Sequence, residues 1–153
     1  MDKSYVLHFA ATEDINDWMA LVDFVKDNFP GFNRDEYVKM LEKNINRESA
    51  LCVKHHDKIV GVLLFSIHSK CLSCMAVHPD HRKQGIGSAL VEKMISLFPL
   101  DMDISVSTFR EADILDNAPR ALYKKFGFTE AEQYDWIGEY PVQKFILYRP
   151  MTS

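Results

Sequence analysis

Leu72-Ser73-Cys74-Met75-Ala76-Val77-His78-Pro79-Asp80-His81-Arg82-Lys83-Gln84-Gly85-Ile86-Gly87-Ser88 is the stretch around which the chain organises itself. Leu72–Val77 reads as a strand, and Pro79 ends it because proline cannot donate to a ladder. After Ser88, the residues Leu90, Val91, Met94, Ile95 and Phe98 recur at helical spacing. A strand, a short glycine-containing loop and a helix make a ready anion site. The first helix amides lack intrahelical partners, and the helix dipole places about half a positive charge beside them. Gly85 and Gly87 have no Cβ and admit a ligand close to the backbone, while Arg82 and Lys83 add positive charge. A phosphate or pyrophosphate suits this loop best. The chain has no GxxxxGK[ST], which excludes a P-loop. GxGxxG fails because Leu90 occupies its last position and three strands precede the loop.

Working outward, Ser4–Ala10 reads as a first strand, with Asp14 or Thr12 capping a helix whose stripe is Ile15, Trp18, Met19, Val22 and Val25. Phe29-Pro30-Gly31-Phe32 breaks that helix. Asn33 caps the next one, with Tyr37, Val38, Leu41 and Ile45 on its apolar face. Ala50–Lys54 and Ile59–His68 flank the polar turn His55-His56-Asp57-Lys58 and read as a hairpin. Ile59–Phe65 is nearly all apolar, which suits a strand buried on both faces. Downstream come a strand over Leu100–Phe109 and a helix over Asn117–Phe126 with Pro119 in its first turn and Gly127 as its C-cap. Ala131–Trp136 and Gln143–Tyr148 form a closing hairpin. The order βααβββαβαββ is a mixed α/β (α+β) pattern.

The 153 residues (17.7 kDa) fit one domain, residues 1–153, with a core over about 4–149. Hydrophobic residues at 47% and charged residues at 26% exclude a disordered chain. No stretch reaches the roughly 18–20 apolar residues of a membrane span, and the N-terminus lacks a signal-peptide core. A net charge of −4 and a pI near 5.8 argue against nucleic-acid binding. Cys52, Cys71 and Cys74 are an odd, low count that suits a reducing cytoplasm. Cys71-x-x-Cys74 lacks a second pair and reads as buried thiols, and His78-x-x-His81 as loop residues flanking Pro79. No metal site is expected.

Arg82-Lys83-Gln84-Gly85-Ile86-Gly87 resembles the R/Q-x-x-G-x-G/A signature of the GCN5-related N-acetyltransferases (GNAT). Leu72–Pro79 resembles the strand and V-x-P stop that precede it. Asn117 followed by Ala121-Leu122-Tyr123-Lys124-Lys125-Phe126-Gly127-Phe128 resembles the family's N…A-x-x-[FY]-Y-x-x-x-GF segment, with Leu122 where an aromatic is frequent. The resemblance implies a mixed, mostly antiparallel central sheet of about six to seven strands flanked by about four helices. It implies acetyl-CoA lying where two central strands splay apart. Met75, Ala76 and Val77 would line the pantetheine, with Met75 and Val77 hydrogen-bonding it like an added strand. Arg82 and the amides of Lys83, Gln84, Gly85, Ile86, Gly87 and Ser88 would hold the pyrophosphate, with Ala89 opening the helix beside them. Asn117 would contact the pantetheine and Lys125 a phosphate.

The implied reaction is direct acyl transfer from a thioester to an amine. A lysine-like amine with pKa ~10.4 is mostly protonated at pH 7 and must lose a proton, while the leaving thiolate benefits from gaining one. Tyr123 is the implied proton donor. Many relatives carry a Glu on the strand before the signature, but Leu72–Val77 has no carboxylate. The base is therefore open, with His68 and Glu139 as candidates. Acceptor recognition is expected from Phe29–Phe32 and Asp135–Pro141, with Phe29, Phe32, Trp136 and Tyr140 as walls and Asp135 or Glu139 attracting an ammonium. A small-molecule amine is the favoured acceptor. Acetylation of a protein or peptide, or a non-catalytic CoA-binding sensor, are the alternatives. Monomer and homodimer both remain open.

Overall fold

The computed structural model describes residues 1–26, 32–109, 118–137 and 140–149. Seven strands form one sheet: β1 (Tyr5–Phe9), β2 (Ala50–His55), β3 (Lys58–Ser66), β4 (Cys71–Val77), β5 (Ile104–Phe109), β6 (Thr129–Ile137) and β7 (Tyr140–Leu147). Their spatial order is β1-β2-β3-β4-β5-β7-β6. Every pair is antiparallel except β4 with β5. The helices are α1 (Ile15–Val25), α2 (Arg34–Asn46), α3 (Ile86–Leu97) and α4 (Ala118–Lys125), with one-turn 3-10 helices at Thr12–Asp14 and Pro79–His81. The element order is the one the sequence predicts. None of the described helices is long and apolar enough to cross a membrane.

The strand alternation divides the core in two. Leu51, Val53, Leu63 and Phe65 face α3 and α4, where they meet Ile86, Leu90, Val91, Met94 and Tyr123. Cys52, Val62 and Leu64 face α1 and α2, where they meet Trp18, Val22, Tyr37 and Leu41. β3 is thus buried on both faces, which explains its almost unbroken apolar run. His56 and Asp57 both have positive φ, at 50° and 67°, and close the β2–β3 hairpin as a tight two-residue turn.

Two capping expectations have different outcomes. The Asn33 side chain accepts the Glu36 amide at 3.0 Å and starts α2. Asp14 occupies the position before α1 but makes no cap bond there. Its carboxylate instead accepts the Ala11 amide at 2.8 Å and pairs with the Lys54 ammonium at 2.7 Å.

The feature that positions the site is β4. Leu64 pairs with Cys74 but Phe65 with Leu72, so Ser73 is an extra, bulged residue. A bulge bends its strand and interrupts the ladder. β4 and β5 pair at Cys71↔Ser105, just before the bulge, supported by the Ser105 amide on the Lys70 carbonyl at 2.9 Å. Beyond it the register holds no further β4–β5 pair among the described residues, and a gap opens between two parallel strands.

Candidate active site

The free edge of β4 follows from strand periodicity. The His78 amide donates to the Val60 carbonyl on β3 at 2.8 Å. Backbone groups alternate sides with period two, so Ala76, paired with Val62, also spends its amide and carbonyl on β3. Met75 and Val77 have the opposite phase and turn theirs toward the gap. Both also pack against the core cluster that contains Tyr123. Of the three β4 residues implied by resemblance, Met75 and Val77 have the geometry of an added-strand partner. Ala76 does not, because its backbone is already used.

The strand leads through Pro79–His81 into the loop Arg82–Gly85, whose residues are exposed. Lys83 and Gly85 have φ of 63° and 80°, and these left-handed residues wind the backbone into the start of α3. Gly85 is the N-cap, so the amides of Ile86, Gly87 and Ser88 precede the first helical hydrogen bond. That bond is Ala89 N–H to the Gly85 carbonyl at 3.0 Å. One expectation changes here: Ala89 does not open the helix, and its amide is already committed. A Cβ on Gly87 would stand 3.0 Å from Leu122 Cδ2 on α4, so its bare Cα also lets the two helices approach. The Ile86 side chain is buried, leaving only its amide for a ligand. Tyr5 holds the loop's approach, its hydroxyl 3.0 Å from His81 Nδ1.

α4 brings its residues to the same end of the gap. Lys125 Nζ donates to Ser88 Oγ at 3.2 Å, placing an ammonium at the first turn of α3. α4 ends with the Gly127 amide on the Lys124 carbonyl and the Phe128 amide on the Tyr123 carbonyl, a Schellman closure. Its other end is held by Arg120, which is buried, pairs with Glu130 at 3.1 Å and reaches Gln143 at 3.3 Å. Tyr123 is 4% exposed between these anchors, with the Phe128 ring 5.8 Å away. Burial, with the nearby Cys74 adding to it, holds its hydroxyl pKa well above the ordinary tyrosine value, so the phenol keeps its proton at neutral pH.

On the other face of β4, Trp18 Nε1 donates to the Tyr37 hydroxyl at 3.0 Å, and that hydroxyl lies 3.6 Å from Cys74 Sγ. Phe32 packs on Tyr37 with ring centroids 5.7 Å apart. Burial pushes the Cys74 thiol up to about 11, and it also stays protonated at neutral pH. Tyr37 was legible only as part of an apolar stripe. The available signal was chemical: a buried Trp or Tyr needs a partner for its polar tip.

Of the remaining candidates, His68 is exposed in the β3–β4 turn, at the paired end of the gap rather than its open end. Asp135 is exposed on β6. Asn117, Phe29, Pro30, Gly31 and Glu139 lie outside the described residues, as do the side chains of Trp136 and Tyr140.

A family model for an acetyltransferase (GNAT) domain matches residues 46–130, more than half of the chain. No curated protein sequence matches significantly. Solved structures share the fold. YncA of Salmonella typhimurium, solved with its cofactor acetyl-CoA, is 14% identical with a TM-score of 0.75 over 99% of this chain and 97% of its own. The ribosomal-protein-S18-alanine N-acetyltransferase of Escherichia coli is 18% identical, with a TM-score of 0.71 over 97% and 96%. An agmatine N-acetyltransferase is 12% identical, with a TM-score of 0.68 over 95% and 100%.

Proposed function

Since this chain belongs to the GNAT family of acetyl-CoA-dependent acetyltransferases, we propose that it transfers the acetyl group directly to the primary amine of a small molecule. The observation that carries this reading is the β4–β5 gap, with the Met75 and Val77 edge leading into the Lys83–Ser88 loop. Met75 and Val77 would bind the pantetheine amides in the manner of a β5 strand that has moved away. The amides of Ile86, Gly87 and Ser88 would take the pyrophosphate, with the Lys125 ammonium beside them.

In the reaction the amine nitrogen bonds to the acetyl carbon as the carbon–sulfur bond breaks. The amine sheds a proton and the departing sulfur takes one. Tyr123, protonated and desolvated, is the donor to that sulfur, and its worth is greatest in a site from which water is excluded. β4 holds no carboxylate, and Cys74 is a neutral thiol, so neither serves as base. The amine's proton leaves through water at the open mouth of the gap.

A small acceptor is the reading favoured here, since a small amine takes a closed pocket where a peptide needs an open groove, and Phe32, Tyr37 and Trp18 supply apolar packing beneath Cys74 beside the gap. Thermal denaturation with acetyl-CoA, followed by thiol release across a panel of amines and peptides, tests the proposal. A stability gain together with release driven by small amines is expected. At a 100-fold excess over Kd the gain is about 2.7 kcal/mol. Release driven only by peptides would replace the small acceptor with a protein one.

A further inference from the structure

Three metal-ligating side chains meet far from the gap. His8 of β1 stands opposite Cys52 of β2, and Asp14 ends the one-turn helix that precedes α1. A ring nitrogen of His8, Sγ of Cys52 and a carboxylate oxygen of Asp14 all lie within 4.8 Å of one another. Cys52 is wholly buried and Asp14 is 5% exposed.

Several details fit a small thiophilic dication. His8 Nδ1 lies 2.9 Å from the Phe9 carbonyl. A carbonyl only accepts, so Nδ1 carries the proton and Nε2 offers its lone pair. Metal-bound histidines are fixed in this way. Nε2 stands 3.6 Å from Cys52 Sγ. An ion ~2.3 Å from sulfur and ~2.05 Å from nitrogen, with a tetrahedral angle between them, sets those two atoms about 3.6 Å apart. The mixed sulfur, nitrogen and oxygen set suits zinc and is wrong for magnesium or calcium. Asp14 already accepts from Ala11 and pairs with Lys54. A carboxylate offers about four lone-pair sites, so it has one for an ion as well. His8 and Lys54 also line a surface depression with Ser4, Val6, His56 and Asp57, so the His8 side of the cluster is open to solvent.

We propose that His8, Cys52 and Asp14 bind one zinc ion that pins β1 and the one-turn helix to β2. The ion replaces the Cys52 thiol proton, which leaves to solvent. Cys52 pairs with Val62 and Val62 with Ala76, so the site lies two strand spacings, ~10 Å, from β4 and takes no part in acetyl transfer. The competing account is that the thiol proton itself bridges Sγ and Nε2, with Lys54 as the sole cation facing Asp14.

The full chain, freed of metal with a chelator, is titrated with cobalt(II) as an absorbing stand-in for zinc. The expected result is one equivalent bound, with thiolate-to-cobalt charge transfer and the intense visible bands of a tetrahedral ion, displaced by one equivalent of zinc. Cys52→Ser loses the charge-transfer band and Cys71→Ser keeps it. Absence of that band in the wild type, or its persistence in Cys52→Ser, overturns the proposal. If Cys52→Ser does not fold, His8→Gln answers the same question at a less buried position. A loss of cobalt affinity of at least roughly 10-fold, the least that removing even a ligand-orienting partner costs, supports the site, and an unchanged affinity overturns it.

Discussion

Along the open edge of β4 the molecule offers backbone: Met75 and Val77, then the amides at the start of α3. On the α1 and α2 side of the same strand it offers side chains: Tyr37 on Cys74, Trp18 on Tyr37 and Phe32 against the ring. A backbone site needs residues that permit a shape, such as glycine at a φ of 80° or proline after a strand, and it tolerates change elsewhere. A side-chain site depends on the identity of each residue. On the function proposed above, the backbone half would hold one constant donor and the side-chain half would choose one particular acceptor.

This division predicts which measurement each substitution moves. Tyr123→Phe should lower turnover by about 100-fold, or about 2.7 kcal/mol, with the acetyl-CoA Kd from calorimetry nearly unchanged. Equal turnover would remove the phenol from the chemistry. On the acceptor side, Tyr37→Phe leaves the buried Trp18 N–H without its acceptor and should cost about 1–3 kcal/mol in denaturant unfolding. It should raise the KM for the amine while leaving acetyl-CoA affinity alone, and a change confined to acetyl-CoA would break the division. Gly85→Val forces a β-branched residue into a left-handed conformation, at about 1–2 kcal/mol of strain. Its signature is weaker acetyl-CoA binding, and a folded variant with wild-type affinity would show that the loop shape is dispensable.

The smallest effect concerns pH. Burial, followed by the neighbouring His56 and His81, lowers the pKa of His55, opposed only by Asp2. Tyr5 stacks on its ring with centroids 4.5 Å apart. The unfolded chain therefore takes up this proton first as pH falls. The stability contribution is constant above the ordinary histidine value of about 6.5 and declines as pH drops from there through the folded-state value. Melting temperatures should fall more steeply in the wild type than in His55→Gln over that range. Parallel slopes would assign the decline to other groups.

What the sequence reveals follows the same line. The element order, the Asn33 cap, the doubly buried β3 and the glycine loop before α3 are legible because strand and helix periods, caps and left-handed glycines act locally. The Ser73 bulge is not legible, because it exists only in the register of β4 against β3. Nor is the availability of the backbone at Ala76 or Ala89, since both amides are spent on partners that only the fold supplies. Gly87 reads as a ligand contact in sequence, and only the fold adds that its bare Cα also leaves room for Leu122, 35 residues further on. Tyr37 and Cys74 meet across 37 residues, and no local pattern announces such a pair.

Amide hydrogen exchange, with and without saturating acetyl-CoA, checks whether acetyl-CoA binds as a strand against β4 with its phosphates on the α3 amides. Slowed exchange is expected at Met75, Val77 and the amides of residues 84–88, with β1 and β2 unchanged. Saturable binding that leaves those amides exchanging at their original rate would contradict this mode of binding.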